Sequence, residues 1–215
     1  MTVTFTHTNE SLNAIIAGLE PSPKDTILAV GGSGEQGLAL LGLAGRVTII
    51  DCEPAQIQYI RKRVEELQKY DWRSFLQQRA DYFLTGDRLH QIREKLADLE
   101  IVEGDMFDFA QQQQGHSKVY LSNALGYGRV PNREYIQERL SRVAKNLSAR
   151  GLVYVANHAS LVEHSERTLF RYLHPGEDLS FTSFLPPELE LDLSLTQKAR
   201  QYQRSCWSPA VYRKF

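Results

Sequence analysis

The sequence predicts an α/β protein, a mostly parallel seven-stranded sheet with helices on both faces and an antiparallel C-terminal edge pair. Three observations carry that expectation. Short aliphatic and β-branched runs alternate with longer segments of helical spacing. A cluster of glycines closes the first of those runs. Two strand-like runs, Leu189 to Leu195 and Pro209 to Lys214, end the chain without a comparable helix between them. Alternating strands and helices cover a parallel sheet on both faces through right-handed crossovers, and ligands then collect outside the carboxyl ends of the strands.

Taken in order, Asn9 to Leu19 keeps Leu12, Ile15, Ile16 and Leu19 at helical spacing, with Asn9 and Ser11 as capping candidates, and Pro21-Ser22-Pro23 ends it. Thr26 to Val30 is the first strand, Gly31 to Gly37 the turn, and Leu38 to Leu43 a helix. Arg46 to Ile50 forms a second strand closing on Asp51, and Pro54 sits where the first turn of a helix tolerates it, opening a helix to about Tyr70. Trp72 to Leu99 reads as further helix through Phe75, Leu76, Leu89, Ile92 and Leu96. Glu100 to Glu103, Lys118 to Ser122 and Leu152 to Ala156 supply more strands, separated by the Gln111 to Gln114 tract and a helix from Glu134 to Leu147.

At 215 residues, 42% hydrophobic and 24% charged, the chain can bury one good core and reads as a single domain, with residues 1–25 a helical extension placed to act as a lid. A net charge of −1 gives no overall field to attract nucleic acid, and no nucleic-acid partner is expected. Cys52 and Cys206 have neither zinc spacing nor a disulfide framework, so both are expected as thiols and no metal site is predicted. The N-terminus lacks a leader pattern and no apolar run approaches a membrane span, which predicts a cytoplasmic protein without stable membrane insertion. Oligomeric state is left open. Arg61-Lys62-Arg63 and Arg171 to His174 read as solvated helix faces, and Trp207, Tyr212 and Phe215 as aromatics packed on an edge strand.

The chemistry begins at Gly32-Ser33-Gly34-Glu35-Gln36-Gly37, a G-x-G-x-x-G match between strand and helix, where glycines let a ligand approach the backbone. Asp51, at the end of the second strand, is placed to accept from both hydroxyls of an adenosine ribose, or simply to cap the next helix. Asp105, in Glu103-Gly104-Asp105-Met106-Phe107, could accept from an adenine amino group while Met106 packs the ring; the plainer role is a solvated acid beside the core. A nicotinamide dinucleotide and a smaller adenosine ligand both suit the loop, but a dinucleotide enzyme needs a second half for which this chain has little room.

These segments resemble S-adenosylmethionine-dependent methyltransferases of Rossmann-like fold. The likeness runs through Ile27 to Gly34, Val47 to Asp51, Glu103 to Phe107 and Leu147 to Leu152. Within that superfamily, Gly34 to Leu40, Asp51 to Gln56, Tyr70-Asp71 through Phe75, and Val119 to Asn123 are similar to S-adenosylmethionine:diacylglycerol 3-amino-3-carboxypropyl transferases. The chain is shorter than those enzymes and has Glu53 where an Asn is usual, so their lipid acceptor is not carried over. The resemblance implies a transferase that uses S-adenosylmethionine, with aminocarboxypropyl transfer slightly favoured over methyl transfer and a small-molecule or lipid acceptor. Expected donor contacts are Gly32, Ser33 and Gly34 near the amino-acid end, Asp51 with its neighbour Cys52 at the ribose, Asp105 and Met106 at adenine, and Asn123 after the fourth strand. Tyr127 and His158, on loops after the fourth and fifth strands, are the candidates for acid or base chemistry. Methyltransferases often carry an acid in the first strand where this chain has Ala29, so a nucleoside-binding protein without turnover is an alternative, and an NAD-dependent oxidoreductase is another.

Overall fold

The computed structural model describes residues 2–76, 82–126, 133–158, 185–203 and 207–215. Its strands are β1 Thr26–Val30, β2 Arg46–Asp51, β3 Leu99–Glu103, β4 His116–Ser122, β5 Leu147–His158, β6 Leu189–Leu191 and β7 Trp207–Lys214. They form one seven-stranded sheet in the order β3-β2-β1-β4-β5-β7-β6. Neighbours among the first five run parallel, while β7 runs antiparallel to both β5 and β6. The predicted fold class is therefore the observed one. Strand order reverses between β1 and β4, and the crevice at that reversal is where open α/β sheets take ligands.

The helices are α1 Leu12–Leu19, α2 Glu35–Leu41, α3 Pro54–Gln68, α4 Arg73–Leu76, α5 Arg88–Glu94, α6 Met106–Gln112, α7 Arg133–Asn146 and α8 Leu193–Tyr202. Strand alternation sorts the core onto two faces. Ile27, Ala29, Tyr120 and Tyr154 meet Leu12, Ile15 and Leu38 on one side, and Leu28, Val119 and Val153 meet Met106, Leu140 and Val143 on the other. Each large aliphatic side chain buried this way contributes roughly 1.5–3 kcal/mol. Two glycines, one just before α2 and one within it, have distinct reasons. Gly34 precedes α2 with φ of +80°, a conformation costly for residues with a Cβ. At Gly37 a Cβ would stand 2.5 Å from Ile49, so its absence lets α2 lie against β2.

Three local expectations differ from the structure. A helix, α8, intervenes before β7. Leu189, Leu191, Leu193 and Leu195 alternate as a strand would, but Asp192 accepts from the Leu195 amide at 2.9 Å and caps α8, which buries Leu195, Thr196 and Ala199. Trp72 to Leu99 is not one helix but holds α4, α5 and a 3₁₀ turn at Leu96–Asp98 among the described residues. Asp105 is an exposed acid beside the buried Met106 and Phe107, as its plainer reading expects, and it also accepts from the amides of Phe107 and Asp108 and so starts α6. Arg63, finally, is not on a solvated face. It follows Ile57 and Ile60 and precedes Leu67 on the inner stripe of α3 and is 1% exposed. Arg61 and Lys62 do face outward, whereas Arg171 to His174 lie outside the described residues. Trp207 and Tyr212 pack inward as expected, and Phe215 is exposed.

Candidate functional site

A cavity of about 430 Å³ opens at the carboxyl edge of the sheet. Val30 ends β1 there, Asp51 ends β2, Gly104 and Asp105 follow β3, Ser122 and Asn123 close β4, and Trp207 begins the reversed β7. The N-terminal segment forms another wall through Phe5, Thr8 and Glu10.

Asp51 organises the first two turns. Its Oδ2 accepts from the Gly32 amide and its Oδ1 from the Glu53 amide, each at 2.9 Å. Partial burial raises the carboxyl above its ordinary value despite those two bonds. Cys52 follows it on the rim, its thiol pushed up by burial and by neighbouring acids, so it remains protonated at neutral pH. Asp105 uses only Oδ1 for the cap, with Met106 and Phe107 packed beside it. Arg139 lies 4.3 Å over the Phe107 ring and donates to the Ala124 carbonyl at 2.9 Å. The Asn123 side-chain oxygen accepts from the Ser122 hydroxyl at 3.5 Å, and the Asn123 carbonyl from the Gly126 amide at 3.0 Å.

Beneath the glycine turn sits a buried ion pair. Arg63 Nη2 donates to Glu35 Oε1 at 2.9 Å and to the Ser74 carbonyl at 3.2 Å, and Nη1 donates to the carbonyls of Ser33 and Thr6. The guanidinium also lies 4.4 Å from the centre of the Phe75 ring. Glu35 Oε2 in turn accepts from the Thr8 amide at 2.6 Å, while Gln36 donates to the Thr8 hydroxyl at 2.8 Å. Gln56 exchanges two hydrogen bonds with the Phe5 backbone, and Tyr59 donates to the Thr6 carbonyl. Polar contacts thus tie the N-terminal segment to the glycine turn and to α3.

Glu10 is a carboxyl that no local pattern marks out. It is 6% exposed, and its Oε1 accepts from the Tyr120 hydroxyl at 2.7 Å and from the Ser122 hydroxyl. Its Oε2 has no hydrogen-bond partner among the described residues. Burial pushes the carboxyl from 4.5 up to about 7 against the pull of those two hydroxyls. The folded state therefore holds a proton that the unfolded chain has lost between pH 4.5 and 7. Its contribution to stability is complete below the lower value and disappears as pH rises through the upper one, a swing on the order of 3 kcal/mol. Glu10→Gln is accordingly expected to raise the urea midpoint at pH 8 and leave it nearly unchanged at pH 4. Equal midpoints at pH 8 would mean that the carboxyl is solvated.

Of the residues singled out from sequence, Gly32, Ser33, Asp51 and Cys52 share the cavity with Asp105, Met106 and Asn123. Gly34 stands behind it as the residue that precedes α2. Tyr127 lies outside the described residues. His158 ends β5 opposite Trp207, with its side chain outside the described residues. Glu10, Ser122, Arg139 and Trp207 join the wall without having been proposed. Among the described residues no group of three or more His, Cys, Asp or Glu could hold a metal ion, and no helix is long and apolar enough to cross a membrane.

This architecture is the Rossmann-like methyltransferase fold. No family model and no curated protein matches the chain. Solved structures do. The Escherichia coli protein yhhF, assigned as a methyltransferase, superposes with a TM-score of 0.56 at 16% identity, covering 100% of this chain and 90% of its own. The N-methyltransferase NodS from Bradyrhizobium japonicum, solved with S-adenosyl-L-homocysteine, gives 0.54 at 13% identity over 94% and 83%. An rRNA methylase from Streptococcus thermophilus gives 0.52 at 9% identity over 94% of both chains. At such identities the fold is what is shared. The comparisons lend no support to the likeness to diacylglycerol aminocarboxypropyl transferases, and the rRNA methylase among them gives none to the expectation that nucleic acid is not a partner.

Proposed function

We propose that the chain, read as one domain over residues 1–215, is an S-adenosylmethionine-dependent transferase and that the group it moves is methyl. The observation that carries this reading is the acid-lined cavity at the β1/β4 crevice, with the Asp51 carboxylate fixed by the Gly32 and Glu53 amides. The fold shared with methyltransferases, one of them solved with the demethylated donor, supports it.

The wall residues suit such a donor. Among the described residues of the wall, the acids Glu10, Asp51, Glu53 and Asp105 outnumber the guanidinium of Arg139, an environment that favours a positively charged ligand. Asp51 would hold the ribose, Asp105 and Met106 the adenine, and Gly32 and Ser33 the amino-acid end, with Asn123 beside it and the N-terminal segment covering the whole. When bound, the donor supplies an electrophilic carbon next to its sulfonium. The protein's part is positioning and exclusion of water. A proton acceptor is needed only where the acceptor group must lose a proton, and Tyr127 and His158 are the sequence's candidates for it.

The Asp51 to Gln56 resemblance favours a second reading, aminocarboxypropyl transfer. One assay separates the possibilities: incubation with S-adenosylmethionine and a panel of small amines, diacylglycerol and RNA, followed by identification of the nucleoside product. S-adenosylhomocysteine is expected. Methylthioadenosine formed only with acceptor would establish the second reading. Donor binding without either product would indicate a nucleoside-binding protein, and preferential binding of NAD(H) an oxidoreductase.

A further inference from the structure

Glu10 is a buried carboxyl that the proposed chemistry has not used. It stands in the cavity wall beside Ser122, and one of its two oxygens has no hydrogen-bond partner among the described residues. A carboxyl retained for structure alone would normally have both oxygens satisfied. Its nearest polar partners among the described residues are uncharged hydroxyls. From β4 come the Tyr120 phenol and the Ser122 hydroxyl, both donating to the same oxygen. From β5 comes Tyr154, whose own hydroxyl is buried and, among the described residues, without a hydrogen-bond partner. Burial holds both phenols well above their ordinary value, so neither ionises in the working range. Among the described residues no lysine or arginine forms an ion pair with Glu10, whereas the similarly buried Glu35 has Arg63. Among the described residues, this carboxyl is thus buried at the candidate site without a lysine or arginine paired to it.

We propose that Glu10 is the counter-ion for the positive charge of the bound donor, a charge that the ammonium or the sulfonium group can provide. The inference rests on the reading of the cavity as an S-adenosylmethionine site. It carries a balanced proton step. In the free protein at neutral pH the carboxyl is about half protonated. A cation seated against it favours the ionised form, so the carboxylic acid gives its proton to the buffer and remains as carboxylate beside the cation. Donor affinity should fall about tenfold from pH 8 to pH 6, because at the lower pH the proton must first be removed.

The test is calorimetric titration of the full chain at pH 7 with S-adenosylmethionine, S-adenosylhomocysteine and methylthioadenosine. Each ligand is run in two buffers of different ionisation enthalpy, so that the number of protons released is read directly. Release of about half a proton with the first two, and none with methylthioadenosine, is expected if the ammonium is the partner. Release with S-adenosylmethionine alone assigns the sulfonium. In Glu10→Gln, which keeps an acceptor for Tyr120 and Ser122, release should vanish and donor affinity at pH 8 should drop roughly tenfold or more. Methylthioadenosine affinity should change little. Tight binding of the donor with no proton release, or release that persists in Glu10→Gln, overturns the assignment of Glu10 while leaving the donor site standing. Failure of all three ligands to bind the wild-type chain overturns both. The wild-type proton count does not depend on the variant folding.

Discussion

Replacing Arg63 by alanine is expected to destabilise the protein by about 3–5 kcal/mol, because it leaves the Glu35 carboxylate buried without its counter-charge. In a chain of this size that corresponds to a fall in melting temperature of roughly 6–20 °C. The same change removes the donors that hold the Ser33, Thr6 and Ser74 carbonyls, so the glycine turn and the N-terminal segment lose a common brace. Urea unfolding at pH 7 reads the effect. Pairing Arg63→Met with Glu35→Gln should recover part of the loss, since a neutral amide can still accept from Thr8 and Ser33 without a buried charge. A single-variant loss below about 1 kcal/mol would place this ion pair among solvated ones.

Removing the Asp51 carboxylate in Asp51→Ala is expected to weaken S-adenosylhomocysteine binding by roughly a hundredfold or more. Two causes add. A carboxylate accepting from two ribose hydroxyls contributes charge-assisted hydrogen bonds of about 1.5–3 kcal/mol each. The same carboxylate fixes the Gly32 and Glu53 amides, so its loss also releases the turns after β1 and β2. Asp51→Asn keeps one acceptor oxygen and should fall between the alanine variant and the wild type. Calorimetry with circular dichroism as a folding check reads both effects. Undiminished binding by a folded Asp51→Ala would move the nucleoside to another site.

Much of the framework was legible because it is written locally. The apolar run Thr26 to Val30 and the glycines after it define a strand and a turn within a dozen residues, and Pro54 marks the start of α3. Asp51 and Asp105 could be placed at strand ends because strand, acid and helix follow in immediate succession. Where local pattern misled, a neighbouring alternative explains it. The leucines from Leu189 to Leu195 fit strand periodicity until the Asp192 cap diverts them into α8. Arg63 was hidden by its basic neighbours, although its spacing of three from Ile60 already placed it on the inner stripe of α3. No comparable signal marked Glu10, which precedes a helix in a polar stretch like many surface acids.

By itself the sequence determined the order of the first five strands, the parallel sheet with its reversed edge, and the acids that end β2 and follow β3. Periodicity, turn chemistry and capping act within a few residues and need no partner elsewhere in the chain. Only the tertiary structure decided which polar groups are buried and what they face. Arg63 meets Glu35 across 28 positions of sequence and Tyr120 meets Glu10 across 110. Whether a carboxylate is an ordinary surface acid or a buried group titrating near neutrality depends on water being excluded by segments that distant, and that is a property of the packed molecule.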